Sequence, residues 1–564
     1  MADGRDDVPY DWDKVINPNP PKRLKKQSPR KAPALPKVPR LNVKLDVFGW
    51  LMAVTSLIIV VGIIVLFYMS WLFQAEGQRV ASQDQGQIPI TEDFAAGQPK
   101  PKDVLFRIGG ASSMGPNVMM DLVSAWMRAR GYTSVRADQG DKLIEVSGSR
   151  AGKTARVLIA LGSSHGGFEA LTQQRLEAVM SSRQVLPGEA DRLSALGNFT
   201  NASSEKIIGL DASLVVVNRN NPINRIDTEV LGRILSGEFT DWNQVSKDMS
   251  GRISIKLESL GADFGSSPAG RLLGDREPPE TVTFLDAPAG VADAVSRDEK
   301  AIGITRRGTG GVKALALNER NSRSVGADDF SISTETYTFT ERLFVYVGSS
   351  GGDPNARDFA DFITSQAGQE LVARMGITPL RLRAVKVLTP PDAPGDYRTF
   401  GRFAERMNFD IRFYDGDNQP DSRAEEDLKR FVAFINKNQI DKRRIAVLGF
   451  ADNVGARVTN IGLAQSRAET VALALQGLGV TPGVVRSYGD SLPVGSNSDE
   501  RGRMRNRRVE IWLCAPPACP LINLGAEAEA TTRGIPAGVR LGPPRPPVEG
   551  EPVPYRSTLA SLSG

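Results

Sequence analysis

Residues 443–480 read RRIAVLGFADNVGARVTNIGLAQSRAETVALALQGLGV, and no other stretch decides as much of the fold. IAVLGF has the unbroken apolar character of a buried strand. DNVGAR is a turn in which Gly455 is free to take a positive φ. Asn460 is placed as the N-cap of the helix that follows, on which Leu463, Ala464, Ala468, Val471, Ala472 and Leu475 share an apolar face. Upstream, SRAEEDLKRFVAFINKN repeats the helical period through Leu428, Phe431, Val432 and Ile435. Downstream, the turn-rich SNSDERGRMRN leads into a last strand, RRVEIWL. The alternation predicts an α/β unit over 397–514.

This unit resembles the OmpA-like peptidoglycan-binding domain. The family pattern of an acidic residue after a strand, a Gly turn, an Asn, a Leu and an Arg-Ala pair stands here as Asp452, Gly455, Asn460, Leu463, Arg467 and Ala468. The closing Asn-Arg-Arg-Val-Glu motif is intact as Asn506, Arg507, Arg508, Val509 and Glu510. The resemblance implies an α/β sandwich with a peptidoglycan site made by Asp452, Asn460, Arg467 and Arg508. Asp452 and Arg467 would flank a pocket for the diamino acid of the stem peptide. A carboxylate holds its ammonium, a guanidinium fork holds a carboxylate, and backbone N–H groups at the helix start face the anionic end. Ala451 and Ala464 stand where the family carries small hydroxyl residues, and neither change removes a charged partner. The plainer alternative is a structural Asp452–Arg467 ion pair on a non-binding fold.

From Val104 to Val385, short apolar strands alternate with helical stretches (VLFRI, VMMDLVSAWMRA, TARVLIAL, IIGLDASLVVV), predicting a second α/β domain over 103–386. It resembles the periplasmic phosphate-binding proteins, the two-lobed type II substrate-binding fold. LFRIGGASSMGPNVMMDLV, VMSSRQVLPGEADRL, LDASLVVVNRNNPINRIDTEVLGRILSGEFTDWNQV and ADAVSRDEKAIGIT match in order. An anion buried between two lobes needs many donors, from hydroxyls, helix N-termini and an Arg. Four small-residue loops offer them: Ser112 and Ser113; Ser163; Ser182 and Arg183; Ser266 and Ser267. The last departs from the family. It reads Gly265-Ser266-Ser267-Pro268-Ala269 where Gly-Ser-Gly-Thr-Arg is usual, with Arg271 two places further on. Phosphate, another small anion or polar ligand, and a ligand-free domain whose serines merely cap helices and turns all stay open. His165, in SSHGGF, is expected to be solvated. With a single histidine, no paired nucleophile and base, and no metal spacing, neither an enzyme nor a cofactor is expected.

Val47–Phe73, VFGWLMAVTSLIIVVGIIVLFYMSWLF, contains no charge and exceeds the ~20 residues a helix needs to cross a bilayer. Trp50 lies near one end, and Tyr68 and Trp71 near the other, as an aromatic belt requires. Both the length of the run and that of the segment before it argue against a cleaved signal peptide. Residues 1–46 are Pro-rich and basic, expected to be disordered and to stay in the cytoplasm. Everything after Phe73 is then periplasmic, in a Gram-negative inner-membrane protein. Residues 74–102 read as a linker and 515–564 as a Pro-rich tail. Cys514 and Cys519 are either a small disulfide loop suited to that compartment or two free thiols. Asp46, at the mouth of the span, faintly resembles the essential Asp of ion-driven motor stators, which would imply a multi-pass membrane partner. An interfacial carboxylate within reach of water is the simpler reading. A net charge of only +5, with its excess concentrated before the span, gives no case for nucleic acid.

Overall fold

In the computed structural model of the protein, the described residues are 87–519, apart from 90, 141, 261–263, 266, 308–309, 414–417 and 518. The span Val47–Phe73, Asp46, the basic segment 1–46 and the tail beyond Cys519 lie outside them. Among the described residues no helix is long and apolar enough to cross a membrane.

The strand Val104–Ala111 is buried along almost its whole length because it is interior to its sheet. It pairs in parallel with Lys153–Gly162 on one side and Ala178–Ser181 on the other. The helix Pro116–Ala129 starts on a proline, which costs nothing where the N–H has no helical acceptor. It packs Met119, Leu122, Val123, Trp126 and Met127 against that sheet. The two lobes share one 14-residue strand, Glu205–Asn218. Its first half pairs antiparallel with Thr340–Val347 in the first lobe, and its second half with Ala301–Arg306 in the second.

The C-terminal sheet has the order Ala384–Val385, Ala404–Arg412, Arg508–Cys514, Ile445–Gly449, Val484–Ser487. Helices Ser422–Lys437 and Arg457–Gly477 cover one face, where Leu428, Phe431, Ile435, Ala468, Val471 and Leu475 meet Phe409, Val447 and Ile511. Leu463, expected on that face, is only half-buried. On the other face Tyr397 and Phe400 of the helix Gly395–Phe403 pack on Leu448, Phe450 and Trp512. Cys514 and Cys519 are joined there as a disulfide, with Cα atoms 4.9 Å apart.

Part of the expected linker belongs to the middle domain. Ile88 and Phe94 are each only 1% exposed, and the Arg175 guanidinium donates to the carbonyls of Ile88, Pro89 and Phe94 at 2.9, 2.8 and 2.7 Å. Two isolated apolar residues carry no period, so their burial was not legible from the residues alone.

The two domains are closely joined. Thr378 bridges to Leu210 of the shared strand, and Ala384 already pairs with Met407 of the C-terminal sheet. Arg342 donates to both oxygens of Glu335, at 2.8 and 3.0 Å, and to Asp421 at 2.6 Å across the interface. Arg423 closes the network on Glu335 and, at 2.7 Å, on Asp427. Burial alone would raise the pKa of Glu335, but Arg342 and Arg423 outweigh it and hold the carboxyl far below its usual range.

Candidate functional site

Two sites emerge, one in each domain. The first sits at the end of the strand Ile445–Gly449. The chain continues in pairing register, with Phe450 N donating to Arg508 O and Ala451 N to Gly489 O, and then turns at Asp452. Asp452 Oδ1 accepts from Val454 N at 3.0 Å, and Oδ2 from Arg507 Nη1 at 2.9 Å. Gly455 takes a φ of +91°, as the turn required. The helix opens at Arg457 with no side-chain cap on its first N–H groups. Asn460 is therefore not the N-cap. It lies one turn inside the helix, 1% exposed, and among the described residues neither its amide oxygen nor its amide nitrogen has a hydrogen-bond partner. Val454 in the turn and Val458 in the first turn of the helix are exposed.

Arg467 is buried, with its guanidinium over the Phe413 ring at 5.5 Å. Arg507 Nε donates to the carbonyl of that same Phe413 at 3.4 Å. Arg467 and Arg507 thus both meet Phe413, and the ion pair described at Asp452 is with Arg507. Arg508 takes no part in it. Arg508 lies across the Phe450 ring at 3.9 Å, bonded to Glu510 at 2.9 Å. The sequence reading missed Arg507, which lies just before the strand, between it and the helix Glu500–Asn506. Burial works against the charge on Arg507, but hydrogen bonds to Glu500 and Asp452 raise its pKa. Asn506 fixes the loop opposite, accepting from Val494 N and Gly495 N at 2.8 and 3.0 Å.

The second site is the cleft where the lobes meet, beside the middle of the shared strand. Its free volume of about 60 Å³ leaves room for a small ligand only. Of the expected residues, Ser113, Ser182 and Ser267 line it. Among the described residues Ser113 Oγ is buried without a partner. Ser182 Oγ lies 3.4 Å from Ser164 Oγ. Ser267 is committed as an N-cap, accepting from Gly270 N at 3.1 Å and donating to Phe264 O at 2.6 Å. Ser163 likewise caps the helix Ser164–Thr172. Ser112 is exposed at the start of a short 3-10 turn. Arg183 is held by Glu189 through two bonds of 2.8 and 2.7 Å. Ser266 lies outside the described residues. His165 is on the helix instead of a loop, two-thirds exposed, with Nδ1 3.1 Å from Glu189 Oε1.

The cleft also contains residues the sequence reading missed: Asp211, Ser213, Glu258, Arg306 and Glu341. Asp211 and Ser213 are polar residues two apart in the otherwise apolar stretch Ile207–Val217 of the shared strand, a period-two signal for one face. Arg306 pairs with Asp211 at 3.4 Å, and Arg271 with Glu341 at 2.5 Å. Among the described residues Glu258 makes no ion pair. Burial raises its pKa, with Arg306 offsetting part of the effect and Asp211 adding to it.

Comparison with known proteins gives each site a context. Residues 412–507 match the model of the OmpA family, and residues 141–367 that of a PBP superfamily domain. Protein SphX of Synechococcus elongatus is 25% identical over 250 residues, covering 42% of this chain and 73% of SphX. Phosphate-binding protein PstS of Borreliella burgdorferi is 23% identical, covering 49% of this chain and 89% of PstS. On the other side, the probable lipoprotein YiaD of Escherichia coli is 39% identical over 84 residues, which are 14% of this chain and 38% of YiaD. Among solved structures, an ABC-type phosphate transport receptor from Vibrio cholerae aligns at 18% identity with a TM-score of 0.37, covering 48% of this chain and 98% of the receptor. The chain is a fusion of a phosphate-binding-protein-like domain of the PBP superfamily with a C-terminal OmpA-family domain.

Proposed function

We propose that this is an envelope protein, anchored in the inner membrane by Val47–Phe73, that grips peptidoglycan from the periplasmic side and presents a solute-binding domain there. The observation that carries the wall-binding reading is Asn460. A buried amide with neither partner satisfied is costly unless something supplies the missing bonds. The diamino acid of a stem peptide has the right chemistry. Its ammonium suits Asp452, and its carboxylate suits the uncapped N–H groups of the helix Arg457–Gly477 and the Asn460 amide. Peptidoglycan-binding protein ArfA of Mycobacterium tuberculosis, 39% identical over 70 residues, is a relative whose name states this activity. The Asn460→Leu variant separates a binding role from a structural one. It is expected to stabilise the fold by about 1–3 kcal/mol while weakening co-sedimentation with purified sacculi. Loss of stability with unchanged binding would show that the amide serves the fold.

The solute is a small oxyanion, phosphate or one like it, taken in its more protonated form. Ser113, Ser182 and Arg306 supply donors, while Glu258 opposes a dianion when ionised. Because its pKa is raised, Glu258 gains its proton at a higher pH than an ordinary glutamate, and anion affinity should therefore rise as pH falls. Calorimetry of the full chain with phosphate is expected to give tighter binding at pH 5.5 than at pH 8, and Glu258→Gln is expected to lessen that difference. A second reading is favoured by Ser163 and Ser267, spent as helix caps, and by Arg183, tied to Glu189. On that reading the cleft is empty of function and the domain is a spacer. Absence of heat and of any thermal shift with phosphate at either pH would decide for the spacer.

A further inference from the structure

A groove of about 900 Å³ runs between the two domains. One wall is built from the helices Thr228–Leu235 and Pro268–Leu273 with Arg320, and the other from Ser496–Arg505. Its carboxylates are largely committed. Glu319 is held by Arg505 and by Ser496 N, Glu238 lies 3.7 Å from Arg233, and Glu500 serves Arg503 and Arg507. The arginines are less so. Among the described residues Arg320 and Arg501 make no hydrogen bond or ion pair, and Arg276 donates only to the carbonyls of Leu272 and Leu273 and to Ser236 Oγ. Among the lining residues, three guanidiniums without a carboxylate partner thus face two carboxylates without a cationic partner, Glu229 and Asp499, the latter capping Gly502 N. Desolvation, and next the like charge of Arg271, lower the Arg501 pKa, so its charge is under-compensated.

The groove adjoins the wall-binding loop. Glu500, on the groove wall, bonds Arg507, and Arg507 bonds Asp452, so one guanidinium separates the two sites. Resting on the reading that Asp452 holds the diamino end of a stem peptide, we propose that this groove takes the free carboxylates of the same peptidoglycan segment, making the solute-binding domain one wall of a composite peptidoglycan site. Guanidinium forks match carboxylates in geometry as well as charge. The volume lies in the range of sites that enclose a ligand larger than one amino acid.

The experiment is co-sedimentation of the full chain with purified sacculi over a salt series. Its variants are Arg320→Gln with Arg501→Gln, and separately Asp452→Ala. Neither arginine has a bond to lose, so the double variant should melt as the wild type does. It is expected to bind about tenfold more weakly, with a flatter salt dependence. Sacculi whose carboxylates have been amidated should weaken the wild type by more than they weaken the double variant, which keeps only the carboxylate contact of the loop. If the double variant binds as the wild type while Asp452→Ala does not bind, the groove proposal is overturned and the loop reading stands. If Asp452→Ala binds as the wild type, the loop reading falls and the groove proposal with it.

Discussion

Asp452→Ala is expected to cost sacculus binding about 2–5 kcal/mol, roughly thirtyfold or more in affinity. The carboxylate is 8% exposed and has two described partners, Val454 N and Arg507. Its removal strips a bound ammonium of its counter-charge inside a largely desolvated turn. The fold should survive, because Arg507 retains Glu500 and the strand Ile445–Gly449 retains its neighbours on both sides. Melting temperature is therefore the control and co-sedimentation the readout. A variant that sediments with sacculi as the wild type does would remove Asp452 from the site.

The largest stability effect is expected at Glu510. This side chain is 0% exposed and accepts from Tyr397 Oη at 2.9 Å, Trp512 Nε1 at 3.0 Å and Arg508 Nε at 2.9 Å, with Arg406 3.2 Å away. Burial pushes its pKa up, but Arg406 and Arg508 prevail and lower it. Glu510→Ala leaves those guanidiniums buried with Asp410 as the nearby carboxylate, bonded to Arg406 at 2.6 Å. The expected cost is about 3–5 kcal/mol, measured by denaturant unfolding of the full chain. A loss below about 1 kcal/mol would mean that the cluster repacks around water and contributes little. The intact Asn-Arg-Arg-Val-Glu motif thus divides its labour. Arg507 faces the loop of Asp452, while Arg508 and Glu510 build the core beneath it.

That division shows where sequence reading stops. The strand IAVLGF, the Gly455 turn and the apolar faces of both long helices were legible because each depends on local period or local backbone freedom. So was the α/β character of both domains. The cap was misplaced because Asn is a strong capping residue by type, and only the folded chain shows that the helix starts at Arg457. Arg507 and Arg508 are adjacent and chemically identical, so composition could not choose between them. In the middle domain, serines before a helix signal a cap and a ligand donor equally well. Ser267 proved to be a cap, whereas Ser113 retains an unsatisfied hydroxyl. The carboxylates of the cleft were invisible for another reason. Asp211, Glu258 and Glu341 come from strands far apart in sequence, and only their pairing brings them to one place.

The short connection from Thr378, paired in the middle domain, to Ala384, paired in the C-terminal sheet, acts as a measure of distance. Even if the interface opened fully, the few residues between those pairings would span only about 20 Å. On the proposed function, a solute captured in the cleft would stay within a bounded distance of whatever the Asp452 loop grips. The protein would then act less as a receptor on a flexible leash than as a gauge of a thin layer next to its point of attachment.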